Sequence, residues 1–198
     1  MLKWYDKVSR DVEGDYSVIG RVYENGLKVH GETNFSPLSQ AVIATLMEKQ
    51  KPQFIVEIGV ENNPDKNQSS TTIILKEKED SAYYLGIDLL DRSHLDNEER
   101  LVRTVQANSL DIDKIKPYIH GPIDFLFIDG WHSINQVEKE FGLYLPYLAK
   151  NGFIGLHDTN HHYGPKWLVE VIDRSIWEVR ESPGDPESDM GLTLLWRK

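Results

Sequence analysis

The sequence predicts an α/β fold: a Rossmann-like, doubly wound, seven-stranded and mostly parallel sheet that ends in a C-terminal antiparallel hairpin. From residue 54 onward, short continuous apolar runs alternate with helical stretches, the pattern of strands buried on both faces and joined by helical crossovers. Polar and acidic residues collect just after each apolar run, where open α/β sheets bind ligands. The last two apolar runs lie close enough in sequence to pair antiparallel.

In chain order, YSVIGRVYENGLKVHG (16–31) alternates apolar and polar residues around Asn25-Gly26, a dipeptide that tolerates the positive φ angles of a two-residue hairpin turn. Ser36 caps and Pro37 starts a helix through Leu38, Val42, Ile43 and Leu46 toward Lys51, and Pro52 stops it. Five parallel strands follow at 54–59 (FIVEIG), 83–88 (YYLGID), 103–107 (RTVQA), 123–129 (IDFLFID) and 152–158 (GFIGLHD). Helices are expected near 70–78, 95–102, 111–119, 134–149 and 165–174. IWEVRE (176–181) and GLTLLW (191–196), joined by SPGDPESDM, make the terminal hairpin.

With 198 residues and no internal repeat or Pro/Gly/Ser linker, one domain over 1–198 is the simplest organisation, with a hairpin or lid segment at about 1–35. Hydrophobic residues at 39% and charged residues at 27% give a globular rather than a disordered composition. Lys and Arg number 22 against 32 Asp and Glu, so the net charge repels polyphosphate and no nucleic-acid partner is expected. The absence of Cys removes disulfides, thiolate metal sites and a cysteine nucleophile. MLKWYDKVSRDVEGDYS is too charged for a signal peptide, and no apolar run reaches the roughly 20 residues of a spanning helix. A soluble chain without a membrane partner, compatible with a cytoplasmic setting, is the expectation.

The strand ends carry the candidate chemistry. Strand one ends in Glu57-Ile58-Gly59, where Gly59 lets a ligand approach the backbone, and strand two ends in Asp88, placed to grip a ribose hydroxyl pair. Together they predict a nucleoside site. Asp88 also reads as a turn former, Gly59 as a plain turn, and Glu57 as a ligand contact or as a buried carboxylate hydrogen-bonded to backbone amides. Strand three ends in Asn108-Ser109, strand four in Asp129-Gly130-Trp131-His132 and strand five in His157-Asp158-Thr159-Asn160. Adjacent strand ends can bring Asp129, His132 and Asp158 together. Two carboxylates then suit a hard cation such as Mg²⁺, and a neighbouring imidazole, His132, can act as general base. The plain structural alternative is helix capping, for which Ser133 and Gln136 fit an S-x-x-Q box. His161 and His162 read as exposed loop residues or as part of a substrate pocket.

In their order, FIVEIGV (54–60), YLGIDLLD (84–91), TVQANSLD (104–111), IDFLFIDGWHS (123–133) and NGFIGLHDT (151–159) resemble the class I S-adenosylmethionine-dependent methyltransferases. Within these, the likeness is to small-molecule O-methyltransferases related to macrolide-sugar and cephalosporin-pathway enzymes, over about residues 36–198. The resemblance implies S-adenosylmethionine as cofactor, with Glu57, Gly59 and Val60 near its methionine part, Asp88 at its ribose and Asn108 with Ser109 near its adenine. It also implies Asp129 beside the cofactor, Asp129 and Asp158 as Mg²⁺ ligands and His132 as base. Two features depart from the pattern. The loop 61–70 is long and has no second Gly, so Ser69 or Ser70 would do the work of the family's Ser. His157 stands where metal-using relatives carry an acidic residue, so one ligand would be missing.

The implied reaction is methyl transfer to a small-molecule hydroxyl, with Trp4, Tyr5, Tyr23 and Phe35 forming either a lid or a homo-oligomer contact. A catalytically silent binding module on the same fold, and another nucleotide-using enzyme such as an NAD-dependent oxidoreductase, are the rival readings. The second lacks its G-x-G-x-x-G turn after strand one.

Overall fold

The first helix forms where its caps lie. Ser36 is extended and its hydroxyl accepts from the Ser39 N–H, Pro37 opens helix α1 (Pro37–Gln50), and Lys51 closes it in the left-handed conformation. The computed structural model describes residues 35–60, 69–181 and 189–198. The expected hairpin at 16–31, Trp4, Tyr5 and Tyr23, and most of the loops 61–70 and 182–190 lie outside the described residues.

Strands β1 (Phe54–Ile58), β2 (Tyr83–Asp88), β3 (Val102–Gln106), β4 (Ile123–Ile128) and β5 (Leu148–His157) pair in parallel. Strands β6 (Trp177–Glu181) and β7 (Leu192–Arg197) pair antiparallel, and β7 also runs antiparallel to β5. The sheet order is β3-β2-β1-β4-β5-β7-β6, so the expected seven strands and terminal hairpin are present. The order reverses between β1 and β4, which is the switch point where such sheets open a crevice.

Helix α2 (Ser70–Glu77) joins β1 to β2, and α3 (Ile112–Ile115) precedes β4. Helices α4 (Ile134–Tyr144) and α5 (Tyr163–Val171) follow β4 and β5. The helix expected at 95–102 is absent. Asp96 instead accepts from the Thr104 N–H and hydroxyl, and Asn97 accepts from the Arg100 N–H. These short polar side chains draw the backbone into turns, despite the helix-forming Glu and Arg beside them. Among the described residues no helix is long and apolar enough to cross a membrane.

Strand alternation divides the core. Ile55, Tyr84, Phe125, Phe127 and Phe153 pack toward α1 and α2, while Val56, Ile58, Leu85, Ile87, Leu126 and Ile154 pack toward α3, α4 and α5. By the same two-residue period, Glu57, Asp88, Asp129 and His157 fall on the α1/α2 side. Phe35 is buried there, against Phe127 and His157.

Gly59 stands at the switch point with φ +83°, and a Cβ on it would lie 2.1 Å from the Asp129 carbonyl oxygen. Its place after β1 therefore serves close approach of the Asp129-Gly130 backbone as well as the turn. Gly59→Ala is expected to destabilise the fold by about 2 kcal/mol or more, from the strained φ and the clash together. Urea unfolding measures it, and a loss below about 0.5 kcal/mol would show that the β1–β4 approach is not tight.

Candidate functional site

Two adjoining cavities open at the carboxyl ends of the strands and share Gly59, Asp88 and Asp129. The larger, of about 470 Å³, lies within the roughly 300–1,000 Å³ of small-molecule sites. Ile58, Ile87 and Ala107 give it an apolar floor, and the exposed Leu89 and Trp131 stand at its rim. Its far wall is polar, made by Asn108, Ser109, Gln136 and Glu140. The smaller, of about 250 Å³, adds Phe35, Val60, His132, His157 and Asp158. Of the sequence-predicted residues, Gly59, Val60, Asp88, Asn108, Ser109, Asp129, His132 and Asp158 all line one or both cavities.

Glu57 lines neither among the described residues. It is fully buried, and Ser70 Oγ donates to it at 2.6 Å while the Tyr84 hydroxyl makes a short hydrogen bond to its other oxygen. Its partners are thus side chains, where the sequence left a ligand contact or backbone amides open. Burial raises its pKa from 4.5 to about 7, against the hydrogen bonds from Ser70 and Tyr84. Ser69 caps α2 by accepting from the Thr72 N–H, so the two serines divide the roles of helix cap and carboxylate partner.

Asp88 holds the β1 and β2 ends together: it accepts from the Val60 N–H at 2.9 Å and the Leu90 N–H at 2.7 Å. Arg92 Nε lies 3.3 Å from the same carboxylate, and that nitrogen makes no hydrogen bond. Asn108 turns its side chain back to the Leu110 N–H. Ser109 donates to Glu140, Gln136 donates to both, and the Tyr144 hydroxyl donates to the Ser109 carbonyl. Glu140 is fully buried, its Oε2 has no hydrogen bond, and burial raises its pKa. Sequence reasoning missed Gln136 and Glu140 as lining residues. The signal was present, because Glu140 lies on the stripe Val137, Phe141 and Tyr144 that turns inward. Ser133 does cap α4, but Gln136 points to Ser109 and Glu140, so only the first half of the capping box forms.

The smaller cavity holds a carboxylate–imidazole cluster. His157 Nδ1 lies 3.0 Å from Asp129 Oδ1 and 3.1 Å from Asp158 Oδ1. His132 Nε2 lies 2.9 Å from Asp158 Oδ2 and 3.6 Å from Asp129 Oδ1. His162 stacks on His132 at 4.3 Å, whereas His161 is exposed. The expected convergence of Asp129, His132 and Asp158 is therefore present, with His157 added between the carboxylates.

At Asp129, His132 and His157 burial opposes the charged form, and the neighbours outweigh it. His157 and His132 lower the Asp129 pKa, and Asp129 and Asp158 raise that of His157. Against its burial, the facing carboxylates of Asp129 and Asp158 lift His132 from 6.5 to about 9. While both carboxylates face it unneutralised, His132 carries its proton at neutral pH, the wrong form for a base. The Asp129–His157–Asp158 and His132–Asp158–His162 groups each bring their ligand atoms within 4.8 Å, and Asp158 Oδ1 is buried with no hydrogen bond. These donors fit a divalent cation.

A family model described as a methyltransferase domain matches residues 38–159. The chain is 26% identical over 112 residues to the mycinamicin VI 2''-O-methyltransferase of Micromonospora griseorubida, over 55% of this chain and 24% of that protein. It is similar in structure to the MycE methyltransferase of the mycinamycin biosynthetic pathway in complex with Mg, SAH and mycinamycin VI, with a TM-score of 0.53 and 18% identity over 81% of this chain and 41% of that one. An O-methyltransferase from Bacillus cereus in complex with SAH gives a TM-score of 0.59 at 18% identity, over 98% of this chain and 96% of that one. The chain thus spans about a quarter of the curated relative and two fifths of the MycE chain, and at these identities the solved structures share its fold.

The buried Glu57 generates a pH prediction. A carboxyl with a raised folded pKa keeps its proton longer than in the unfolded chain, so its contribution to stability falls as pH climbs from 4.5 to about 7 and is level above. Glu57→Gln is expected to gain on the wild type by on the order of 3 kcal/mol between about pH 4 and about pH 8. Urea unfolding of both proteins across that range tests it; parallel stability curves would show that Glu57 has the same pKa in the folded and unfolded chains.

Proposed function

This chain belongs to the methyltransferase domain family, and from that premise we propose that it transfers the methyl group of S-adenosylmethionine to a hydroxyl oxygen of a small molecule. The observation that carries the reading is the pair of adjoining cavities sharing Gly59, Asp88 and Asp129, one of nucleoside size and one lined by carboxylates and imidazoles. The curated relative, named as a 2''-O-methyltransferase, supports oxygen as the acceptor. The SAH in the similar structures supports the cofactor.

In this reading the adenosine occupies the larger cavity, with adenine against Asn108 and Ser109 and ribose at Asp88. An ionised carboxylate offers about four lone-pair sites, and Val60 N–H and Leu90 N–H already use two of them. The Arg92 contact, an ion pair without hydrogen-bond geometry, is the one a ribose hydroxyl displaces. The sulfonium then lies where the cavities meet, near Gly59, Val60 and Asp129, and the acceptor enters the smaller cavity. Glu57 acts from below, by fixing α2 and β2 through Ser70 and Tyr84.

The chain's own residues supply alignment, proton removal and exclusion of water. His132 Nε2 takes the hydroxyl proton; the oxygen attacks the methyl carbon, the carbon–sulfur bond breaks, and its electron pair leaves with S-adenosylhomocysteine. Asp129 and Asp158 would hold a divalent cation, Mg²⁺ in the sequence reading, which when bound lowers the pKa of an acceptor hydroxyl and takes up the carboxylate charge. His132 is neutral, and a base, only when that charge is taken up.

Titration with S-adenosylhomocysteine, with and without Mg²⁺, tests the proposal; an absence of binding in both conditions removes it. Asp88→Ala is expected to weaken that binding about tenfold or more, and isothermal titration showing an unchanged affinity would discard the ribose assignment. With an accepted substrate, His132→Ala is expected to lower kcat roughly a hundredfold. An unchanged kcat would take His132 out of the mechanism.

A further inference from the structure

His157 departs from an all-oxygen metal site, and its surroundings give that departure a chemical direction. The ring is 3% exposed and lies against Phe35, with centroids 4.9 Å apart. Nε2 has no hydrogen-bond partner among the described residues, so Nδ1 alone orients the imidazole. Nδ1 stands 3.0 Å from Asp129 Oδ1 and 3.1 Å from Asp158 Oδ1. Around an octahedral ion with bonds of about 2.1 Å, neighbouring donors stand about 3.0 Å apart. Asp158 reaches this position from a left-handed backbone, φ 61°, and its buried Oδ1 has no hydrogen bond. The three donor atoms lie within 4.8 Å of one another and face the smaller cavity.

We propose that His157 is a metal ligand and that the Asp129–His157–Asp158 triad binds a divalent first-row transition ion in preference to Mg²⁺. Imidazole nitrogen suits such ions, whereas Mg²⁺ favours oxygen donors and gives up its water reluctantly. The ligand that the sequence leaves missing is thus supplied as nitrogen. Three donors on one side leave the remaining coordination positions toward the cavity. The proposal rests on the methyl-transfer reading for the ion's role, and the ion's identity is measured without turnover.

The chain, freed of metal with a chelator, is titrated with Co²⁺ and Mg²⁺, and its Mn²⁺ form is examined by pulsed EPR for directly bound ¹⁴N. Co²⁺ is expected to bind about tenfold or more tighter than Mg²⁺, and the Mn²⁺ form to show ¹⁴N coupling. His157→Asp is expected to abolish the coupling and bring the two affinities closer by about tenfold. His132→Ala is expected to keep the coupling, which maintains the test if His157→Asp does not fold. Equal affinities in the wild type, coupling that survives His157→Asp, or coupling lost in His132→Ala would each overturn the proposal. S-adenosylhomocysteine binding on the same samples separates the two readings: its presence without metal preference sinks only this inference, and its absence sinks methyl transfer.

Discussion

The cleft depends on how closely β1 and β4 approach at their carboxyl ends. Asp129 N–H donates to the Ile58 carbonyl at 2.8 Å, and Gly59 N–H donates to the Ile87 carbonyl at 2.9 Å, so three strand ends are tied at one level. Gly59 lacks the Cβ that would strike Asp129, which lets the two chains leave the sheet in different directions from almost one point. The crevice between them is the space that both cavities use. A bulkier residue at 59 would part these ends and separate Asp88 from Asp129, the two carboxylates that both cavities share.

Strand alternation then decides what faces that space, and burial decides how its charge is managed. Asp88, Asp129, Asp158 and Glu140 put four carboxyl groups in the walls of the two cavities, and Glu57 lies buried near them, in an already acidic chain. Bringing unpaired charge out of water is costly, and each group meets the cost differently. Glu57 has a pKa raised by burial and is met by hydroxyl donors from Ser70 and Tyr84, and Glu140 by Ser109 and Gln136. Asp88 is satisfied by backbone N–H groups and Arg92. Asp129 and Asp158 share imidazoles. Asp129 and Asp158 are thus compensated by imidazoles, whose place a proton or a cation can take.

The strands were legible because continuous apolar runs bounded by Gly, Asp and Asn admit few alternatives, and the positions of Asp88, Asp129 and His132 followed from strand ends alone. Where the sequence said less than the structure, the causes are local. Residues 95–102 have helix-forming composition, but Asn97 captures the Arg100 N–H that a helix would use, and Asp96 is drawn to the Thr104 N–H of β3. For Glu57 the position in β1 was visible, which left a ligand contact and a buried carboxylate open, and its partners Ser70 and Tyr84, 13 and 27 residues away, were not. His157 stood out by its residue type, and the two-residue period puts it on the same side as Asp129. What the period could not reveal is that Asp158, the next residue, is brought back to that cluster by a left-handed backbone, a conformation Asp tolerates better than most side chains.

The position of His132 is set mainly by backbone, which bears on how it could work. Ser133 beside it caps α4, and the His132 carbonyl accepts from the Gly164 N–H at the start of α5. A Cβ on Gly164 would lie 2.5 Å from that carbonyl, so α5 abuts this turn with no side chain between them. The imidazole is then confined by His162 on one face and Asp158 at Nε2. Transfer chemistry is sensitive to displacements of about 1 Å, and a group held between two helix starts loses little positional freedom when a ligand arrives. The same α4 carries Gln136 and Glu140 to the wall of the larger cavity, so one helix sets the distance between the nucleoside-sized slot and the imidazole. Alignment across the two cavities is therefore a property of the packed scaffold, and the side chains at the rim need only change charge.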